Sequence, residues 1–157
     1  MASKRGNIEM SEEEIRSYLE SSKTIIIVSN GKEGYPHPLP MWFYVGDAGC
    51  LYCTTFRKSQ KVANFRRNRA ASLLLESGTE YAELKSVLIY AQAEVIDDLD
   101  VVLDTMINIT TKGLSLNSDE LSTAAEGMRK TAPKRVVLKF TPEKTTSWDH
   151  SKLGGVY

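Results

Sequence analysis

The chain has 157 residues, 41% hydrophobic and 25% charged, which is enough for one globular domain with its own core. Lys plus Arg and Asp plus Glu number 20 each, a balance that argues against a general nucleic-acid binder. No apolar run approaches the roughly 18 residues of a membrane span, no leader segment is visible, and the two thiols suit a reducing cytoplasm.

Residues 1–10 are polar and read as a flexible tail to a single domain spanning 1–157. Ser11-Glu12-Glu13-Glu14 forms a capping box and opens a helix that ends near Ser22, with Ile15, Tyr18 and Leu19 on one face. Lys23 to Ser29 is β-branched and predicts a buried strand. After a turn at Asn30–Gly34, Tyr35 to Val45 is extended. Pro36, Pro38 and Pro40 remove alternate donors there and confine that half to an edge or a bulge. Gly46–Gly49 makes a hairpin turn into a strand over Cys50–Thr55. Ser59–Asn68 is helical, Ala70–Glu76 is a strand, Gly78 marks a turn, and Leu84–Asp97 is a long strand with small residues midway. Asp97-Asp98 caps a helix through Met106, and a further helix starts at Ser118 and ends before Pro133. Val136, Leu138 and Phe140 alternate in a strand that Pro142 is expected to break, before a last extended piece bearing Thr146, Trp148 and His150. Hairpin-linked long strands predict a mainly β fold: an antiparallel barrel of six to seven strands with inserted helices.

Cys50 and Cys53 have half the spacing of a zinc ribbon without a second pair, so neither a metal nor a disulfide is expected. The unusual charge lies elsewhere. Six cations and no acid fall between Phe56 and Arg69, whereas Glu94–Asp104 is acidic. Arg57, Lys58 and Lys61 crowd the start of the Ser59 helix, where the helix dipole is already positive. Such an end attracts a phosphate. Thr54 and Thr55 at the strand end, the cap Ser59 and the cation Lys61 are the candidate cradle; a solvated basic surface is the alternative. Arg66, Arg67 and Arg69 lie at the helix C-terminus, where cations are ordinary. On the preceding strand, Trp42 and Tyr44 share one face and Met41 and Phe43 the other, an arrangement that suits either a plain core or the floor of a flat ring.

In this order the motifs resemble those of the split β-barrel flavoproteins, the relatives of pyridoxamine 5′-phosphate oxidase and the deazaflavin-dependent reductases. The resemblance lies in Gly34–His37, Pro40–Phe43, Leu51–Thr55, Ser59–Asn68, Ala71–Leu75, Ala91–Val95 and Ser147–His150. It implies an FMN-binding split barrel, usually a homodimer with the cofactor at the interface, in which hydride passes to or from a small organic substrate. A deazaflavin coenzyme is the variant, and a non-catalytic flavin or haem carrier is the competing class. The resemblance further implies a phosphate site at Ser59, Gln60 and Lys61 with Asn64 one turn on. Thr54 and Thr55 would line the phosphate and ribityl chain, and the strand Pro40, Met41, Trp42 and Phe43 would run along the ring. Trp148 would approach the second copy's site. The oxidase branch often has Arg where this chain has Gln60 and a basic residue where it has Leu39, and its C-terminal substrate segment is not recognisable here. The resemblance therefore implies no pyridoxamine phosphate oxidase activity. No side-chain nucleophile is implied; His37, His150 and Tyr90 are the candidate proton donors.

Overall fold

The computed structural model describes residues 5–154. Its seven strands form one antiparallel sheet: β1 (Thr24–Asn30), β2 (Pro36–Trp42), β3 (Tyr44–Val45), β4 (Leu51–Phe56), β5 (Ala70–Ser77), β6 (Lys85–Ile96) and β7 (Arg135–Asp149). The spatial order is β2-β1-β5-β6-β7-β4-β3. The two ends of that order, β2 and β3, are separated in sequence by Phe43 alone. One stretch of chain therefore supplies both edges, and the sheet rolls into a barrel. Only two residue pairs join β3 to β4, so beyond them β2 and β4 part and leave a split. This is the mainly β antiparallel barrel that the hairpin pattern predicts, in the split form that the resemblance implies.

Alternation explains the core. In β1, β4 and β5 every second residue is buried, as strand geometry demands of a sheet with one covered face. Ile25, Ile27, Leu51, Leu73, Ile89 and Leu138 meet inside, and Phe65 packs edge-on against Phe140 at 5.5 Å. Gly78 adopts φ 100, where a Cβ would sit 2.3 Å from the Glu83 carbonyl oxygen, so a side chain cannot fit that turn.

Five helices decorate the barrel. α1 (Arg5–Ile8) precedes α2 (Glu12–Ser21), which starts on the expected capping box. The flexible tail was expected over residues 1–10. Residues 1–4 lie outside the described residues, but within 5–10 Met10 is buried, and its N–H donates to Ser147 Oγ at 3.1 Å. α3 (Gln60–Arg67) follows β4, and α4 (Leu99–Thr110) and α5 (Ser118–Arg129) lie between β6 and β7. α4 covers one outer part of the barrel, where Val102 buries against Val137 and Ala132. No described helix is long and apolar enough to cross a membrane.

One expectation is corrected. Pro142 does not end its strand; β7 runs unbroken to Asp149. The β4 partner stops at Phe140 and the β6 register shifts between Tyr90 and Ala91, so Pro142 sits beside a bulge where its missing donor costs little.

Lys112 ties the end of α2 to the link between β2 and β3. Its Nζ donates to the carbonyls of Leu19 at 2.9 Å, Ser22 at 2.5 Å and Phe43 at 3.3 Å, and lies 3.8 Å from the Phe43 ring centroid. Burial pushes the ammonium down to about 8, and the three carbonyl acceptors hold the charge in place at neutral pH. Lys112→Met removes their shared donor. We expect a loss of about 2 kcal/mol in urea unfolding at pH 7, and an unchanged midpoint would contradict the tie.

Candidate functional site

β4 ends at Phe56 and the backbone turns through Arg57, whose N–H still reaches Lys134 O at 2.9 Å. α3 begins immediately afterwards. Val62 and Phe65 pin its inner face to the core. Asn64 is also buried there: its Nδ2 donates to Ser29 Oγ at 2.9 Å, and its Oδ1 accepts from Gln60 Nε2 at 2.9 Å and from Arg67 at 3.2 Å. The Asn64 amide is thus spent on fixing α3 against β1. It orients the helix.

The N-terminus of α3 differs from those of α2, α4 and α5. Those three are capped by the side chains of Ser11, Asp98 and Asn117 and carry acids in their first turns. The α3 cap Ser59 makes no capping bond, and no acid stands in the first turn. The N–H groups of Gln60 and Lys61 find no acceptor among the described residues, although Val62 and Ala63 bond back to Ser59 O. Such ends normally find a partner.

Three side chains converge on this end. Lys61 Nζ donates to Thr55 Oγ1 at 3.0 Å, and Thr55 Oγ1 and Ser59 Oγ lie 3.3 Å apart, where either hydroxyl can donate to the other. Lys61 faces no carboxylate in any ion pair among the described residues. Burial lowers its pKa, so a half-buried charge is held at the positive end of a dipole without a counter-ion. An anion with several acceptor oxygens satisfies the donors that remain: two N–H groups, one hydroxyl hydrogen and one ammonium. The residues present fit a phosphate.

Neighbouring cations are differently placed. Arg57 is engaged by Asp97 and by Pro133 O, so it is not a free phosphate contact. Lys58 is exposed beside a cleft of about 420 Å³ lined by Phe56, Arg57, Lys58, Pro133 and Lys134. Thr54 and Thr55, adjacent on a strand, point to opposite faces. Thr55 joins the cradle, while Thr54 lines a second cavity of about 280 Å³ with Trp42, Met106, Ile109, Thr110 and Arg135.

The aromatic strand divides as its period predicts. Phe43 is fully buried and Met41 packs on the core, whereas Trp42 is 62% exposed and Tyr44 stacks on Tyr52 at 5.0 Å. Phe43 N–H donates to Lys23 O and Gly31 N–H to Tyr35 O. These bonds fix Tyr35, His37, Leu39, Met41 and Phe43 as the positions that bond inward to β1. Pro36, Pro38 and Pro40 therefore turn their carbonyls outward and present no N–H. From Pro36 to Pro40 the free edge of β2 offers acceptors only, which bars another strand from pairing there and leaves carbonyls for a ligand N–H; the outward Trp42 N–H follows them. Trp148 lies at the far end of β7, paired with Ser86, well away from the cradle of its own chain.

Sequence reasoning missed Arg135, the first residue of β7. Its guanidinium packs 4.5 Å over the Phe56 ring, and its Nε is buried without a hydrogen-bond partner. An arginine directly after Ala132-Pro133-Lys134 reads as ordinary surface charge in the sequence; only the strand pairing with Phe56 brings it to the site. Of the candidate proton donors, His150 Nδ1 is 2.9 Å from Tyr81 O, and Tyr90 is on the outer face of the sheet. The Cys53 thiol is pushed up to about 12 by burial, which makes it a poor nucleophile at neutral pH.

The pyridoxamine 5′-phosphate oxidase family model matches residues 11–149. Among solved structures, a conserved hypothetical protein from Mycobacterium tuberculosis is 33% identical over 99% of this chain and 95% of its own, with a TM-score of 0.85. An FAD-binding protein from Mesorhizobium loti is 18% identical over 88% of this chain and 94% of its own, with a TM-score of 0.62. An F420 reductase is 18% identical over 83% and 94%, with a TM-score of 0.61. The last two share the fold. No curated protein matched.

Proposed function

The chain belongs to the pyridoxamine 5′-phosphate oxidase family, and from that premise we propose that it is an FMN-binding oxidoreductase that works as a homodimer. The observation that carries this reading is the start of α3, where Lys61 and two backbone N–H groups face no anion of their own chain. Thr55, Ser59, Gln60 and Lys61 hold the phosphate. The acceptor edge at Pro40 and the exposed ring of Trp42 hold the isoalloxazine. The bound flavin supplies the hydride chemistry. The chain itself binds, orients and shields, and no side chain acts as nucleophile.

A second observation supports the dimer. Pro40, Ile26, Leu74 and Leu88 stand in register across four strands on the outer face of the barrel. α4 covers a different part of that face. Ile26, Leu74 and Leu88 are only half-buried and Tyr90 is 44% exposed. A second copy is the natural cover for such a sheet face, and it brings Trp148 towards the opposite cradle.

A deazaflavin coenzyme is the second reading. It is favoured by the basic cleft of Lys58 and Lys134 beside the cradle, which suits an acidic tail, and by the likeness to an F420 reductase. Enzyme and carrier separate in one experiment. The FMN-loaded protein is reduced anaerobically and mixed with oxygen, a quinone or a nitroaromatic. Reoxidation by one acceptor faster than that of free reduced FMN is expected. Rates no faster than free cofactor for all three would leave a carrier.

A further inference from the structure

We propose that the cavity between Trp42 and α4 binds a small planar carboxylate, with Arg135 as the group that selects the charge. Arg135 is a cation without a counter-ion. It makes no ion pair among the described residues, and its buried Nε–H donates to nothing. Native proteins rarely leave such a donor unpaired. The acids that line the cleft on its other side are engaged elsewhere: Asp97 with Arg57, and Asp98 with the N–H groups of Asp100 and Val101. The Phe56 ring under the guanidinium fixes its plane.

The remaining walls define the occupant. Trp42 gives a flat aromatic face, Met106 and Ile109 give apolar contact, and the Thr54 and Thr110 hydroxyls complete the lining, which contains no acid. At about 280 Å³ the cavity falls just under the roughly 300–1,000 Å³ of drug-sized sites, so it suits one ring and one charged group. A planar guanidinium prefers a carboxylate, which it can grip with two bonds. A phosphate has its own place at the cradle, on the opposite face of β4. This inference rests on the flavin reading only in making the carboxylate a substrate beside the ring; the binding itself does not require flavin.

The test is calorimetric titration of the protein, with and without FMN, against benzoate and its neutral isostere benzamide. Saturable benzoate binding is expected, with benzamide at least tenfold weaker. Arg135→Gln should weaken benzoate at least tenfold and leave benzamide unchanged. Trp42→Ala, at an exposed position that folding tolerates, should weaken both ligands. Equal affinity for the two ligands, benzoate binding unchanged in Arg135→Gln, or no saturable binding overturns the proposal. So does an Arg135→Gln protein that loses FMN affinity but not riboflavin affinity, since Arg135 would then serve the phosphate. Arg135-dependent benzoate binding in a protein that takes up no FMN would sink the flavin reading and leave this one standing.

Discussion

Leu74→Glu should turn the proposed dimer into a monomer. The wild type should sediment at twice the 17.5 kDa of one chain, and the variant at that mass. Leu74 lies between Ile26 and Leu88 in the exposed outer row, so the change removes nothing from the barrel interior. Two-fold symmetry places the new carboxylate in the interface twice. Each copy is buried unpaired, at a cost of several kcal/mol, which exceeds what half-buried leucines contribute. The folded monomer should keep its melting temperature to within a few degrees in dilute solution. FMN affinity should fall by roughly tenfold or more, because the second copy's Trp148 is withdrawn. A dimeric Leu74→Glu protein with full cofactor affinity would place the interface elsewhere.

Lys61→Ala has the other large effect, and stability and binding should move in opposite directions. Removing a charge-assisted contact to a phosphate costs about 2–3 kcal/mol, or about 30- to 150-fold in FMN affinity. Yet without cofactor the variant should be at least as stable as the wild type, by up to about 0.5 kcal/mol. Lys61 faces the positive end of α3, where a cation is disfavoured, and burial lowers its pKa. The sign is consistent with its titration. The unfolded chain keeps the proton to higher pH than the folded one, so apo stability rises as pH climbs from the lowered folded value towards the unfolded value near 10.5. Bound phosphate should cancel that slope. Urea unfolding with and without FMN, at pH 7 and pH 9.5, measures both. An apo Lys61→Ala protein markedly less stable than the wild type would make Lys61 a structural residue.

Most of the fold was legible because its signals are local. The β-branched run of β1, the paired turns at Gly46–Gly49 and Gly78, the acidic caps of α2, α4 and α5, and the small residues of β6 each act over a few positions. The failures are long-range. Pro142 reads as a strand breaker until the β4 partner is seen to stop at Phe140. Met10 reads as part of a polar tail until Ser147, at the other end of the chain, takes its N–H. The candidate site divides the same way. Lys61, Ser59 and Thr55 lie within six positions of each other in sequence, and the structure brings them together. Thr54, one residue away, goes to the opposite face, and Asn64 turns inward to hold the helix. Arg135 could not have been found from its neighbours, since its site is created by a ladder between residues 56 and 135.

The central claim is that a phosphate belongs at the start of α3. FMN and riboflavin differ by that phosphate alone, so the ratio of their dissociation constants for the wild-type protein, measured by fluorescence quenching at one ionic strength, reads the cradle directly. FMN should bind tighter by on the order of 100-fold, about 2.7 kcal/mol, with the preference largely lost in Lys61→Ala. Equal affinity of the wild type for the two flavins would contradict it.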